Sequence, residues 1–413
     1  MRRKGLLMPN DRIAKRGTDS LFSIKGSNNS EGLEDRKKVS IPLFPIAEGE
    51  RILTICNACR YCEGYCAVFP AMERRMNFAE ADLNYLANLC HNCAECYYAC
   101  QYAPPHEFAV NVPQTFAEIR AQSYEKYAGI IEPPLGFHGP LSMLYWLGTR
   151  QSFYAWCAWF VLFVVIVILP LGAPTETGFY REVPHGVMVG LFGFLSFIIF
   201  SAHLGGFLRF WRETGESLAS SFTPSALLRG IRDALTLKNL SSHGAGCTYP
   251  NQHHSNARRV FHHFTFYGFG LCFASTTVAA IYHFSGRIAP YPYFSAPVIL
   301  GTLGGIGLLI GPAGLYALKK KRDPAIADAK QDRGDTSLIA LLMLASATGL
   351  ALLAFRETRA MPILLKVHLG VVLGLFLTLP YGKFVHGIYR TAALVRSALE
   401  SARSQNQGSG QSH

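Results

Sequence analysis

Residues 1–40 hold no apolar stretch, no C-x-x-C-H occurs anywhere, and acidic residues are outnumbered, with 27 Asp and Glu against 39 Lys and Arg. Each shortage excludes something. Without an apolar core near its start the chain offers no signal peptide, so a reducing compartment is expected for its cysteines. Without C-x-x-C-H, covalently attached haem is excluded. The glycine run Gly301, Gly304, Gly305 and Gly307 lies inside an apolar segment with no strand before it, so it reads as close helix packing. The chain therefore lacks a flavin or nicotinamide site of its own. The surplus of base gives a net charge of +12. Its arginines and lysines are spread over connections between apolar segments instead of forming an aromatic-interleaved patch, which excludes nucleic acid as a partner.

What the chain has in quantity is apolar length. After Arg150 six runs are long enough to cross a hydrocarbon core, near 153–173, 185–208, 260–284, 293–318, 337–355 and 362–388. The runs are continuous, not alternating, so helices and not a barrel are expected. Basic residues crowd the connections after the second and fourth runs and the C-terminal end. By the positive-inside rule both termini face the cytoplasm of a bacterial inner membrane, in a multi-pass arrangement. The expected organisation is a disordered basic tail over 1–44, a cytoplasmic cysteine domain over 45–150, a six-helix membrane domain over 151–395 and a flexible tail over 396–413. Arg258 and Arg259 read as interfacial anchors, and the segment 213–240 is too polar to span.

Eight of the eleven cysteines fall between Cys56 and Cys100 in two copies of C-x2-C-x2-C-x3-C, 34 residues apart. Ferredoxins with two [4Fe–4S] clusters use this spacing, and there the fourth cysteine of each run ligates the other cluster. On that logic Cys56, Cys59, Cys62 and Cys100 hold one cluster, and Cys90, Cys93, Cys96 and Cys66 hold the second. Structural zinc prefers two separated C-x2-C pairs and is the weaker reading. Ala67 and Gln101 follow the fourth cysteines where bacterial ferredoxins have proline.

Histidines at the ends of the apolar runs are candidate axial ligands for haem b, because ionisable groups inside a membrane default to function. His368 and His386 are 18 residues apart in the sixth run, five turns of one continuous helix and about 27 Å along its axis. His185 and His203 repeat that spacing in the second run, and His262 and His283 lie near one face of the third. The expected pairs are His386 with His203 or His262, and His368 with His185 or His283.

The segment Leu379-Pro-Tyr-Gly-Lys-Phe-Val-His386 resembles the last-helix haem motif of nitrate-reductase gamma-type cytochromes b. The cysteine runs resemble those of heterodisulfide-reductase and fumarate-reductase iron–sulfur subunits. Their fusion, with Cys56-Asn-Ala-Cys59-Arg-Tyr-Cys62-Glu-Gly-Tyr-Cys66 and Arg259-Val-Phe-His-His-Phe-Thr-Phe-Tyr-Gly268, is similar to the tricarballylate-utilisation protein B family and to the C-terminal half of the CobZ fusion proteins. The resemblance implies an all-α membrane protein, with a soluble helical two-cluster ferredoxin-like domain and a six-helix cytochrome b-like bundle. It also implies partners: a separate FAD-dependent, tricarballylate dehydrogenase-like enzyme as electron donor, and the membrane quinone pool as acceptor. Two other readings compete. One is the same wire serving another quinone-linked dehydrogenase or a heterodisulfide-type reductase, and the other is a proton-coupled transporter with a regulatory iron–sulfur domain.

Overall fold

The computed structural model describes residues 44–128, 179–215, 223–241, 248–250, 252–380 and 382–409. The basic tail, the expected first span at 153–173, Cys157 and Cys247 lie outside the described residues. Helices make up the regular structure of the described residues. Five of them are long and apolar enough to cross a membrane: α7 (His185–Glu213), α9 (Ala257–Phe284), α10 (Ala296–Lys320), α11 (Ala329–Ala354, apolar from Gln331) and α12 (Met361–Thr378).

Local chemistry sets the boundaries of these spans. Pro297 and Pro362 sit in the first turns of α10 and α12, where a missing N–H costs nothing. Asp328 caps α11 by accepting from the Gln331 N–H at 2.6 Å, and Lys319 and Lys320 stand at the C-terminal end of α10, where the helix dipole favours cations. The glycine run does what small residues do between helices. A Cβ on Gly268 of α9 would lie 3.0 Å from the Gly304 carbonyl oxygen, and one on Gly311 only 2.5 Å from the Thr265 nitrogen. The backbones of α9 and α10 therefore approach as closely as side-chain-free positions allow.

Two expectations about the C-terminal third are corrected. The sixth run is not one helix: α12 ends at Thr378, a single 3-10 turn covers Lys383–Val385, and a new helix, α13 (His386–Ser409), begins at His386. Pro380 denies the helix an N–H donor and Gly382 adds backbone freedom, so His368 and His386 do not share a helix face. Nor are residues 396–409 a loose tail. α13 continues through Ser409, and Arg396, Ala398 and Leu399 are buried.

That last helix completes the cysteine domain. α1 (Phe44–Cys59), α2 (Val68–Glu73), α3 (Glu80–Leu89), α4 (Glu95–Tyr98) and α5 (Val112–Ala128) enclose a core of Ile52, Leu53, Phe69, Leu83, Leu86 and Phe116, and Ala393 and Leu394 of α13 belong to the same core. Glu400 of α13 accepts from Arg75 at 2.5 Å, Asp82 pairs with Arg75 at 2.7 Å, and the Arg75 and Arg396 guanidiniums lie 4.9 and 4.1 Å from the Tyr85 ring centroid. A network of charges around one aromatic thus ties the last helix to the cysteine domain. The short helix α6 (Phe179–Glu182) precedes α7, and α8 (Pro224–Leu235) packs along α13.

Candidate cofactor sites

The first cysteine run is built on a helix end. Cys56 and Cys59 occupy the last turn of α1, three residues apart and so on one side of it. Arg60 then adopts a left-handed conformation, φ 52°, which stops the helix and sends Cys62 back toward the pair. The second run begins after α3, with Cys90 extended, and Cys96 on the short α4. Ala94, the counterpart of Arg60 at the 34-residue repeat, is again left-handed at φ 67°. Ala and Arg pay a steric cost there, so the shared conformation is a property of the duplicated loop and not of one residue type.

The eight thiols fall into two groups. One cavity is lined by Cys66, Cys90, Cys93 and Cys96. A second is lined by Cys56, Cys59, Cys62 and Cys100, with Cys96 on the wall shared by both. Each group thus takes three cysteines from one run and the fourth from the other. None of the eight is in a disulfide. Among the described residues no three His, Cys, Asp or Glu side chains converge tightly enough to hold a single metal ion. Burial, reinforced by the neighbouring thiols, pushes Cys56 and Cys62 up to about 12 and holds Cys66 and Cys96 well above the usual thiol range. Such thiols are poor nucleophiles and become thiolates only against a bound cation. The N–H groups of Val68 and Phe69 approach Cys66, and that of Asn92 donates to Cys90 Sγ at 3.4 Å. Hydrogen bonds to sulfur of this kind tune a cluster's potential.

The two groups differ in what surrounds them. Around the first, Tyr61 is 63% exposed, and Arg60 and Gln101 are also exposed. Cys90 and Cys93 of the second are buried, and their loop is held from outside the domain. The Asn92 carbonyl accepts from Arg258 of α9 at 2.7 Å, the Cys90 carbonyl from Arg390 of α13 at 2.8 Å, and the Cys93 carbonyl from the Thr248 hydroxyl at 3.1 Å. The wholly buried Arg120 adds a further donor to Cys90 at 3.2 Å and one to Ala87 at 2.9 Å. Arg258 is therefore not only an interfacial anchor. Sequence reasoning missed this role, because nothing local to Arg258 announces a partner 166 positions away.

The histidines sort as follows. His262 and His386 face each other with ring centroids 6.1 Å apart and planes at 69°. His386 Nδ1 is engaged by the Lys383 carbonyl, which leaves its Nε2 to point away, the arrangement that fixes a ligating imidazole. The expected alternative, His203, stacks on Phe384 at 6.1 Å, and its Nε2 and the Nδ1 of His262 are buried without a hydrogen-bond partner. Orphaned imidazole nitrogens in a buried layer fit a site for a metal-centred cofactor. The other layer fits less well. His185 and His283 stack directly on each other at 3.7 Å and 24°, with the Tyr180 ring against both. No porphyrin fits between rings in contact. His368, expected to partner one of them, instead places Nδ1 3.0 Å from the Thr348 hydroxyl and packs on Gly349.

Comparison with known proteins agrees with this two-part construction. Residues 156–407 match the family model described as citrate utilization protein B, and residues 49–126 match that of the citrate utilization protein B Fer4-like domain. The Escherichia coli protein named citrate utilization protein B is 48% identical over 375 residues, covering 88% of this chain and 95% of that one. No solved structure matches the chain. Both parts of the chain, the cysteine domain and the membrane helices, thus belong to the citrate utilization protein B family.

Proposed function

We propose that the chain is a membrane electron conduit, receiving electrons from the reduced FAD of a separate dehydrogenase and delivering them to quinone. The observation that carries this reading is the division of the eight cysteines into two crossed sets, one facing outward and the other hydrogen-bonded to the helices that hold His262 and His386. Two [4Fe–4S] clusters and haem b supply one-electron carriage, which lets a two-electron donor be oxidised one electron at a time.

The chain's own residues do the rest. Cys56, Cys59, Cys62 and Cys100 present the outer cluster beside exposed Tyr61, where a flavoprotein can approach. Cys66, Cys90, Cys93 and Cys96 hold the inner one out of water. Arg258 and Arg390 fix its loop against the membrane helices, and His262 with His386 would hold a haem on that side. His368, His185 and His283 stay candidates for a second haem, with His185 and His283 not serving as each other's partner in the stacked arrangement, and His203 stays the alternative to His262 beside His386. Basic connections touch the cysteine domain through Arg258 and Arg390, and Asp323, next to Arg322, accepts from the Tyr98 hydroxyl at 3.2 Å. This supports a cytoplasmic placement of that domain and of both termini.

The resemblance favours a tricarballylate dehydrogenase-like flavoprotein as donor. The test is to mix the purified protein with its reduced flavoprotein neighbour under anaerobic conditions and follow the Soret band. A shift to reduced haem, abolished in Cys93→Ala, supports the conduit. Absence of a Soret band in the purified protein overturns it.

A further inference from the structure

Outside the spans, α8 (Pro224–Leu235) carries its large apolar side chains on the side opposite to the protein. Its inward residues are small. Ala226 is buried, and Gly230 lies so close to α13 that a Cβ there would fall 2.6 Å from the Val395 Cα. Leu227, Leu228, Ile231 and Leu235 are all exposed, Leu228 by 68%. At 3.6 residues per turn these four occupy a single arc of about 100°, with Arg229 and Arg232 beyond one edge of it. In water this arrangement would be costly, since four large apolar side chains would stand exposed on one face.

The end of α8 is fastened to a span. Its terminal carbonyls lack intrahelical donors. The Tyr267 hydroxyl donates to the Leu235 carbonyl at 3.1 Å, and Arg259 donates to the Thr236 carbonyl at 2.9 and 3.2 Å. Both donors belong to α9, whose Val260, Phe264 and Tyr267 are also exposed. The apolar arc of α8 thus continues the outward surface of a membrane-crossing helix, and what covers one covers the other.

We propose that α8 lies in the plane of the leaflet on the cysteine-domain side, with Leu227, Leu228, Ile231 and Leu235 in the acyl boundary and Arg229 and Arg232 among anionic headgroups. Its inner face rests on α13, the helix that carries His386, Arg390 and Glu400. The lipid surface therefore presses, through α8, on the element that joins the cysteine domain to the spans.

The experiment places the photoreactive residue benzoylphenylalanine at Leu228, or at Ile231 or Ser225, in the full-length protein in vesicles of phosphatidylcholine and phosphatidylglycerol. After irradiation, adducts are identified by mass spectrometry. Lipid adducts at Leu228 and Ile231 with none at exposed Ser225 are expected. Adducts to protein, or none, at Leu228 overturn the proposal. In the double variant Arg229→Gln, Arg232→Gln the share of phosphatidylglycerol among the adducts should fall toward its share in the vesicle. An unchanged enrichment overturns the anionic part, and a retained optical spectrum shows that the variants have folded.

Discussion

The guanidinium of Arg390 donates to the main-chain carbonyl of Cys90 at 2.8 Å. Four residues earlier on the same helix stands His386, and on α9 Arg258, which holds the Asn92 carbonyl, stands four residues before His262. Each ring of the close histidine pair therefore has, one helical turn away, an arginine that grips the same cysteine loop. The loop and the pair are positioned by a common set of side chains.

Replacing Arg390 by Ala removes a charge-assisted bond to Cys90 and a longer one, 3.4 Å, to the Asn88 carbonyl, while Arg120 still satisfies the Cys90 carbonyl. The apparent stability in detergent should fall by about 1.5–3 kcal/mol, the usual worth of a hydrogen bond to a charged group. Iron content should be kept and haem reduction by the flavoprotein should slow. Unchanged reduction kinetics would argue that the loop needs no such anchor.

Cys59→Ala and Cys93→Ala should each cost roughly half of the iron, because each removes one ligand of a different four-iron site. Their consequences should differ. With the inner site lost, reductant should still reach the outer cluster, seen by electron paramagnetic resonance, while haem stays oxidised. If either variant emptied both sites, the division between the two cavities would be wrong.

His386→Ala should lose the low-spin haem spectrum, since an axial imidazole is gone. His203→Ala, whose ring meets Phe384 and not His386, should keep it. The reverse outcome in the optical spectrum would move the pairing to His203.

Glu400 anchors the last helix to Arg75 at 2.5 Å and is held within that helix by Arg396 at 3.2 Å, with little solvent around the three. Glu400→Gln removes the carboxylate the two guanidiniums share and leaves them Asp82 alone. A loss of about 3 kcal/mol is expected, typical of breaking a buried ion pair from one side, and thermal unfolding followed by circular dichroism measures it.

Much of this was readable from residue order. The cysteine spacing marked out both runs and the two groups in which their thiols lie, because ligand geometry is local and repeats. The apolar runs gave five of the spans to within a few residues except at one end. There Pro380 and Gly382 were visible, yet the 18-residue spacing of His368 and His386 favoured an unbroken helix. The last helix was misjudged for a different reason. Its serines, glutamines and charges read as solvated, although Ala392, Val395, Leu399 and Ala402 recur at helical spacing, and only the cysteine domain's need for a further wall makes that stripe count. Contacts such as Arg258 with Asn92 depend on how two distant segments meet, which no local pattern encodes.

Because Ala393, Leu394 and Glu400 close the core begun by α1 to α5, translation order has a bearing on maturation. The first hundred residues leave the ribosome long before their final wall is made, and several hydrophobic segments must be inserted in between. A nascent chain stalled before residue 386 lacks that wall, and should hold less iron than the full-length chain.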